Sequence, residues 1–292
     1  MVAEAEIRSE SQELPGGFRL VRAPGGLAWV ERLGASPAPD AELWDRWIRG
    51  VDGKALDHPG GRAPVFLIET QGKGGMVLRS FRHGGLIGKL LSDRFLGVNR
   101  FLAELRVSEA IRRRGVPTPE VLALHFRSAG GLVYRGWILT RYLPGGENLR
   151  RWVEAGLPQS MERRRVLRRA ALTVASLHAV GCLHPDLNLS NLLLVKDEVF
   201  VLDLDGAFME HSPGIRARSG NLLRLYRSLA KVMGRAEPLS LRDRWTFVKA
   251  YAAGNSEQAR VLWRHLSARW VLARARFHLS NGLRRLLPPS SR

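Results

Sequence analysis

Two carboxylates and an amide recur at suggestive spacing in one stretch of the chain, Gly181 to Phe208. His184-Pro185-Asp186-Leu187-Asn188-Leu189-Ser190-Asn191 is an H-x-D-L-x-x-x-N loop. Two apolar runs, Leu192 to Val195 and Val199 to Leu202, then lead to Asp203-Leu204-Asp205. The runs are β-type and only Lys196-Asp197-Glu198 separates them, so they predict a hairpin that returns both polar clusters to the same end. This grouping suits phosphoryl transfer, where the protein does little covalent work and must orient a hydroxyl while metal ions hold nucleotide phosphates. Asp186 would accept the hydrogen bond of the acceptor hydroxyl. Asn191 and Asp203 would offer the hard oxygen ligands that Mg2+ requires.

The loop matches the kinase catalytic-loop pattern, and Asp203-Leu204-Asp205 resembles the D-F-G element with Leu for Phe and Asp for Gly. The plain alternative is a polar hairpin whose Asp and Asn only form turns; order, spacing and strand context together weigh against it. The pattern implies further parts. Val98, Phe101, Leu102, Leu105 and Ile111 recur at helical spacing until Gly115, Pro117 and Pro119 stop the helix, with Glu104 in its middle. In a kinase-like small lobe such a glutamate pairs with a cation on the preceding strand, and that cation holds the nucleotide phosphates. Arg79 is the candidate, where the usual residue is Lys.

Arg79 lies on the second of two predicted strands, Val65 to Thr70 and Met76 to Phe81. The turn ahead of them, with Gly60 and Gly61, stands where a kinase keeps its phosphate-covering loop. Its glycines satisfy neither G-x-G-x-x-G nor the Walker pattern and also read as ordinary hairpin turns. A further strand, Trp137 to Leu143, ends at Pro144-Gly145-Gly146. This reads as a hinge between lobes, where backbone groups around Tyr142 could bind an adenine.

Two short strands, Phe18 to Val21 and Leu27 to Glu31, precede a Ser-Pro-Ala-Pro linker, and Asp40 can cap a helix through Arg49. A long helix from Ser160 to Val180 has Val166, Ala170, Val174 and Leu177 as its core stripe. Its arginines, Arg163 to Arg165, Arg168 and Arg169, read as a solvated face. Helices are also expected over 221–233 and 242–253, and along a tail from Gln258 to Leu287. The expected organisation is an N-terminal extension over 1–39, an N-lobe over 40–143 and a C-lobe over 144–292. The fold class is α+β: bilobal and protein-kinase-like, with an antiparallel-sheet N-lobe and a mainly helical C-lobe.

The chain has 292 residues, 45% of them hydrophobic, enough for a full core in two lobes. Its formal charge of +19 reads either as a sign of an anionic partner, acidic lipid, nucleic acid or a phosphorylated substrate, or as an arginine-rich composition whose side chains are simply solvated. No spanning helix or signal peptide is expected, which points to the cytoplasm. The single cysteine, Cys182, excludes an internal disulfide and reads as a small buried residue.

At Leu78 to Leu96, LRSFRHGGLIGKLLSDRFL, the chain is similar to an LRxYRRGGLxxKLLxDRYL stretch, and His184 to Asn191 is similar to HADLNxxN. Through these the chain resembles the bacterial lipopolysaccharide core kinases of the Kdo/WaaP group, and among them those acting on 3-deoxy-D-manno-octulosonic acid (Kdo), over Trp44 to Lys231. The resemblance implies ATP with Mg2+ and phosphorylation of a Kdo hydroxyl on a lipid A precursor at the cytoplasmic face of the inner membrane. It implies Asp186 as the catalytic aspartate, Asn191 and Asp203 as metal ligands, and Arg79 and Glu104 as the strand cation and its helix partner. The basic segment with Arg82, Lys89 and Arg94 would meet the anionic, lipid-linked sugar acceptor and an acidic membrane; no nucleic acid is expected. The stretch between Asp203 and the next helix is short and lacks A-P-E, so the docking segment of a protein kinase is missing and a sugar hydroxyl is favoured over a protein. Two other readings stay open: a cytosolic small-molecule kinase of the aminoglycoside type, and a catalytically weak kinase-like binding module.

Overall fold

The computed structural model describes residues 14–23, 27–35, 39–56, 64–70, 74–83, 92–157 and 160–270. Gly60, Gly61 and Lys89 lie outside the described residues, as does the expected tail helix beyond 270. The chain divides into two compact units, one of residues 1–146 with 201–208 and one of residues 147–200 with 209–292.

The first unit is built on an antiparallel sheet. Its strands are β1 (Phe18–Ala23), β2 (Leu27–Arg32), β3 (Gly53–Leu56), β4 (Val65–Thr70), β5 (Gly74–Ser80), β6 (Phe95–Leu96), β7 (Val121–Gly130) and β8 (Val133–Arg141). They run in the order β1-β2-β7-β8-β5-β4-β3, with β6 paired to β8. Residues 18–32, expected in an N-terminal extension, belong to this sheet: β2 pairs with β7, Val30 opposite Leu124. The reason is packing. Trp29 alternates into one core and Ala28 and Val30 into the other, so β2 is buried on both faces and cannot stand outside the sheet.

Helix α1 (Ala41–Ile48) covers one face. Asp40 caps it by accepting from the Leu43 N–H at 2.8 Å, and Trp44 and Trp47 pack with Ile68, Met76, Leu78 and Leu139. Helix α2 (Asn99–Arg113) covers the other, burying Phe101, Leu102 and Leu105 with Phe81, Phe126 and Ile138. Gly136 on β8 permits this approach, because a Cβ there would lie 2.6 Å from the Phe101 ring. Alternation along β5 then sends Met76 and Leu78 to the tryptophan face and Arg79 and Phe81 towards α2.

The second unit is mainly helical. It contains β9 (Glu147–Asn148), α3 (Leu149–Glu154), α4 (Ser160–Ala179), β10 (Cys182–Leu183), β11 (Leu192–Val195) and most of β12 (Glu198–Val201), followed by α5 (Ile215–Met233) and α6 (Leu241–Tyr251). Residues 256–270 are also helical. The β11–β12 hairpin forms as expected, with Lys196 at φ 52° in its turn. On α4, Val166, Ala170, Val174 and Leu177 are buried as read from their spacing. The arginine face is solvated as expected at Arg165, Arg168 and Arg169, and departs from that reading at Arg163, which pairs with the buried Asp243 at 3.1 Å. Cys182 is fully buried, which pushes its thiol up to about 12 and leaves it unreactive. Among the described residues, no helix is long and apolar enough to cross a membrane.

Candidate active site

In the second unit Asp186 stands on a loop held by its neighbours rather than by its own carboxylate. Its backbone carbonyl accepts from the side-chain amides of Asn188 at 3.0 Å and Asn191 at 2.9 Å, and its N–H donates to Nδ1 of His184 at 3.2 Å. The carboxylate side of Asp186 is exposed while His184 and Leu187 are fully buried, so the loop is anchored from beneath. The Asn191 amide nitrogen faces the loop, which leaves its oxygen as the acceptor end.

Anchoring comes from a residue that the motif does not contain. Asn221 on α5 accepts the His184 N–H at 3.0 Å and lies 3.1 Å from Nε2 of His178, whose Nδ1 is 2.7 Å from the Tyr251 hydroxyl. Burial lowers His178 to about 4, so the ring is neutral and can donate from Nε2 while accepting from Tyr251. Asn148 adds a hydrogen bond from its amide to the Ser190 carbonyl. Gly181, at φ +87°, begins the loop where any Cβ would lie 2.2 Å from the Glu210 carbonyl oxygen. Only glycine fits there.

In the first unit Arg79 is shared by two carboxylates: its guanidinium donates to Glu104 at 2.6 Å and lies 3.1 Å from Asp203. The structure therefore joins three residues that the sequence places on a strand, a helix and a post-hairpin turn. At Glu104, burial is the largest influence. With Asp203 and Asp205 it outweighs the pull of Arg79 and raises the carboxyl to about 7. At Arg79 burial acts downward, but Asp203 and Glu104 together hold the guanidinium above its ordinary value. Asp203 itself has a left-handed backbone, φ 55°, rare for a residue with a side chain and common where function constrains the chain.

Asp205 is engaged elsewhere. Both of its oxygens accept from Arg100, each at 2.7 Å, and Arg100 stands one turn before Glu104 on α2. Strand alternation would put Asp203 and Asp205 on one face, but β12 ends at Val201 and the turn at Asp203 breaks the alternation. The side chain of Asp203 is 38% exposed and that of Asp205 12%, so Asp203 is the carboxylate with access to a ligand. Arg100→Ala is expected to weaken Mg·nucleotide binding several-fold while changing stability by only about 1 kcal/mol, the usual size for a partly exposed pair. Exchanging the two charges in Arg100→Asp with Asp205→Arg should restore part of the binding; calorimetric titration checks both.

The other expected residues are placed as follows. Tyr142 is half-buried after β8, and its N–H donates to the Gly75 carbonyl at 2.9 Å, so of its backbone pair only the carbonyl remains to meet a base. Arg82 and Arg94 are exposed on the first unit, on two segments joined by a hydrogen bond from the His83 N–H to the Ser92 carbonyl at 2.9 Å.

Among the described residues no three His, Cys, Asp or Glu side chains cluster as a metal-binding group. The Asp203 carboxylate in the first unit and the Asn191 amide oxygen in the second are each the kind of hard oxygen that Mg2+ takes, with waters and nucleotide phosphates as its usual further ligands.

Comparison with known proteins gives the same direction. Residues 47–251 match the model of the lipopolysaccharide kinase (Kdo/WaaP) family. A 3-deoxy-D-manno-octulosonic acid kinase of Xanthomonas oryzae pv. oryzae is 31% identical over 234 residues, 78% of this chain and 89% of its own. One from Vibrio vulnificus is 26% identical over 199 residues, 66% and 81% of the two chains. Among solved structures, a chain described as WaaP in complex with acyl carrier protein superposes with a TM-score of 0.56 at 20% identity, covering 89% of this chain and 99% of that one. This likeness establishes the α+β, bilobal, kinase-like fold.

Proposed function

The chain belongs to the lipopolysaccharide kinase (Kdo/WaaP) family, a kinase acting on a lipopolysaccharide inner-core sugar, and we propose that its acceptor is Kdo on a lipid A precursor. The family implies ATP as phosphoryl donor. The observation that carries the residue assignment is Asp186: an exposed carboxylate on a loop fixed through its backbone, free to receive a hydroxyl.

In this reading Asp186 accepts the hydrogen bond of the attacking hydroxyl and takes its proton as the phosphoryl group is transferred. Asn191 and Asp203 hold Mg2+, which when bound neutralises charge on the nucleotide phosphates. Arg79 contacts the phosphates, Glu104 holds Arg79, and the carbonyl of Tyr142 meets the base. Gly60 and Gly61, outside the described residues, are proposed from the sequence alone to bind the phosphates. Arg82, Lys89 and Arg94 bind the anionic groups of the acceptor, and the enzyme works peripherally at the cytoplasmic face of the inner membrane. The test is transfer of labelled phosphate from ATP to Kdo-bearing lipid A precursor, free Kdo and an aminoglycoside in parallel. Label on the precursor alone supports the reading, and label on the aminoglycoside alone replaces it with the cytosolic small-molecule kinase.

Arg79 and Glu104 are expected to act as one contact. Each alanine substitution should lower kcat/KM, and the double variant should lose much less than the product of the two losses. The coupling should shrink as pH falls through about 7, because protonating Glu104 removes half of the pair. Stability runs the other way. Since burial raises Glu104 in the folded state above its usual 4.5, the stability of the wild-type chain relative to Glu104→Gln is fully present below about 4.5 and is lost as pH rises through about 7. Kinetic cycles and denaturant melts at pH 6 and 8 measure the two effects separately.

A further inference from the structure

We propose that the β6 corner of the first unit is a membrane-docking surface: Leu96 and Leu132 insert among the lipids of an anionic bilayer, and Arg82 and Arg94 engage the phosphates around them. The proposal rests on the lipid-linked acceptor reading and adds to it the surface that reaches the bilayer.

The leucines are exposed for structural reasons. Phe95 turns inward on β6, 4% exposed in the core and stacked on the His83 ring with centroids 4.1 Å apart. Period-two alternation therefore turns its neighbours Arg94 and Leu96 outward together, and Leu96 is 82% exposed. The pairing of Leu96 with Val133, and a hydrogen bond from the Gly97 N–H to the Leu132 carbonyl at 2.9 Å, bring Leu132 alongside. Leu132 is 43% exposed. His83 ties the basic side to the same corner, its N–H bonded to the Ser92 carbonyl at 2.9 Å and its ring 2.8 Å from the Arg94 carbonyl.

An exposed leucine by itself is ordinary. This pair is set apart by its surroundings. Arg82 and Arg94 are exposed and have no ion-pair partner among the described residues, whereas the nearby Asp93 is taken up by Arg135 at 3.3 Å. An apolar tip on the same unit as two exposed guanidiniums without an ion-pair partner among the described residues is complementary to a bilayer, whose phosphates accept bidentate hydrogen bonds above a region that accepts leucine. The net charge of +19 adds long-range attraction to the same partner.

The full chain is tested by sedimentation with vesicles of phosphatidylcholine, with and without phosphatidylglycerol, at low and high salt. Wild type is expected to bind the anionic vesicles strongly at low salt and to keep a salt-resistant part of that binding, since insertion is not screened. Leu96→Asp should lower partitioning roughly tenfold, more so when combined with Leu132→Asp, and Leu96→Phe should preserve it. Thermal unfolding and turnover on a water-soluble, deacylated acceptor should be unchanged in the leucine variants. Aspartate variants that partition like wild type, or wild-type binding that salt abolishes completely, overturn insertion. No binding of wild type to anionic vesicles overturns the membrane in favour of an acidic protein partner. Sedimentation needs no catalysis, so leucine-dependent binding by a chain that transfers no phosphate upholds the surface and counts against the kinase reading alone.

Discussion

Asp186→Asn is expected to lower kcat by about 10²-fold or more, the range of a positioned acid–base group, while leaving the affinity for Mg·ATP nearly unchanged. The loop should survive the substitution. Its hydrogen bonds use the Asp186 carbonyl and N–H, not the carboxylate, and the residues beneath it are buried whichever side chain position 186 carries. Asparagine keeps the shape and can still accept a hydrogen bond, but it cannot take the proton that the hydroxyl loses. Rapid-mixing kinetics and nucleotide titration separate the two effects. Turnover within a few-fold of wild type would remove Asp186 from the catalytic role. A large loss in nucleotide affinity would instead show that the loop itself had collapsed.

The contiguous part of this site was legible in the sequence because its spacing is local. The loop, the hairpin and the post-hairpin aspartates lie within one short stretch, and turn chemistry with β-type runs dictates their order. Arg79 and Glu104 were legible only through a known pattern, since nothing in a strand arginine and a helix glutamate 25 positions apart announces that they meet. The supports were not legible. Arg100 and Asp205 are separated by 105 positions, and Asn221, which serves both His178 and His184, is one asparagine in the middle of an arginine-rich helix. That helix also begins earlier than its apolar pattern suggests, at Ile215, because Ile215-Arg216-Ala217-Arg218-Ser219-Gly220 carries no apolar stripe and is made helical by its tertiary setting. The placement of β1 and β2 failed for a related reason. Short strands after an uninformative start do not reveal which sheet they join, and only the burial of β2 on both faces and the pairing of β1 with β2 settle it.

Asp203→Asn should show the second large effect, and of a different kind: Mg2+-dependent nucleotide binding weakens by an order of magnitude or more, and the Mg2+ concentration for half-maximal activity rises. The neighbouring aspartate is the control. Asp205 commits both oxygens to Arg100 and is mostly buried, whereas Asp203 shares one oxygen with Arg79 and keeps more than a third of its side chain exposed. Asp205→Asn is therefore expected to behave like the loss of a brace, several-fold in Mg·nucleotide affinity and partly recovered by the exchanged pair with Arg100. Asp203→Asn should not be recovered by any change at Arg79, because a metal ligand has no substitute in a cation. Its backbone adds a second signature. Asparagine tolerates the left-handed conformation at position 203 at least as well as aspartate, so folding stability should hold while metal dependence is lost. Titrations of nucleotide with and without Mg2+ across the two variants decide the assignment: if Asp205→Asn abolishes the metal-dependent part and Asp203→Asn spares it, the ligand is Asp205 and the bidentate pair with Arg100 must open for the metal to bind.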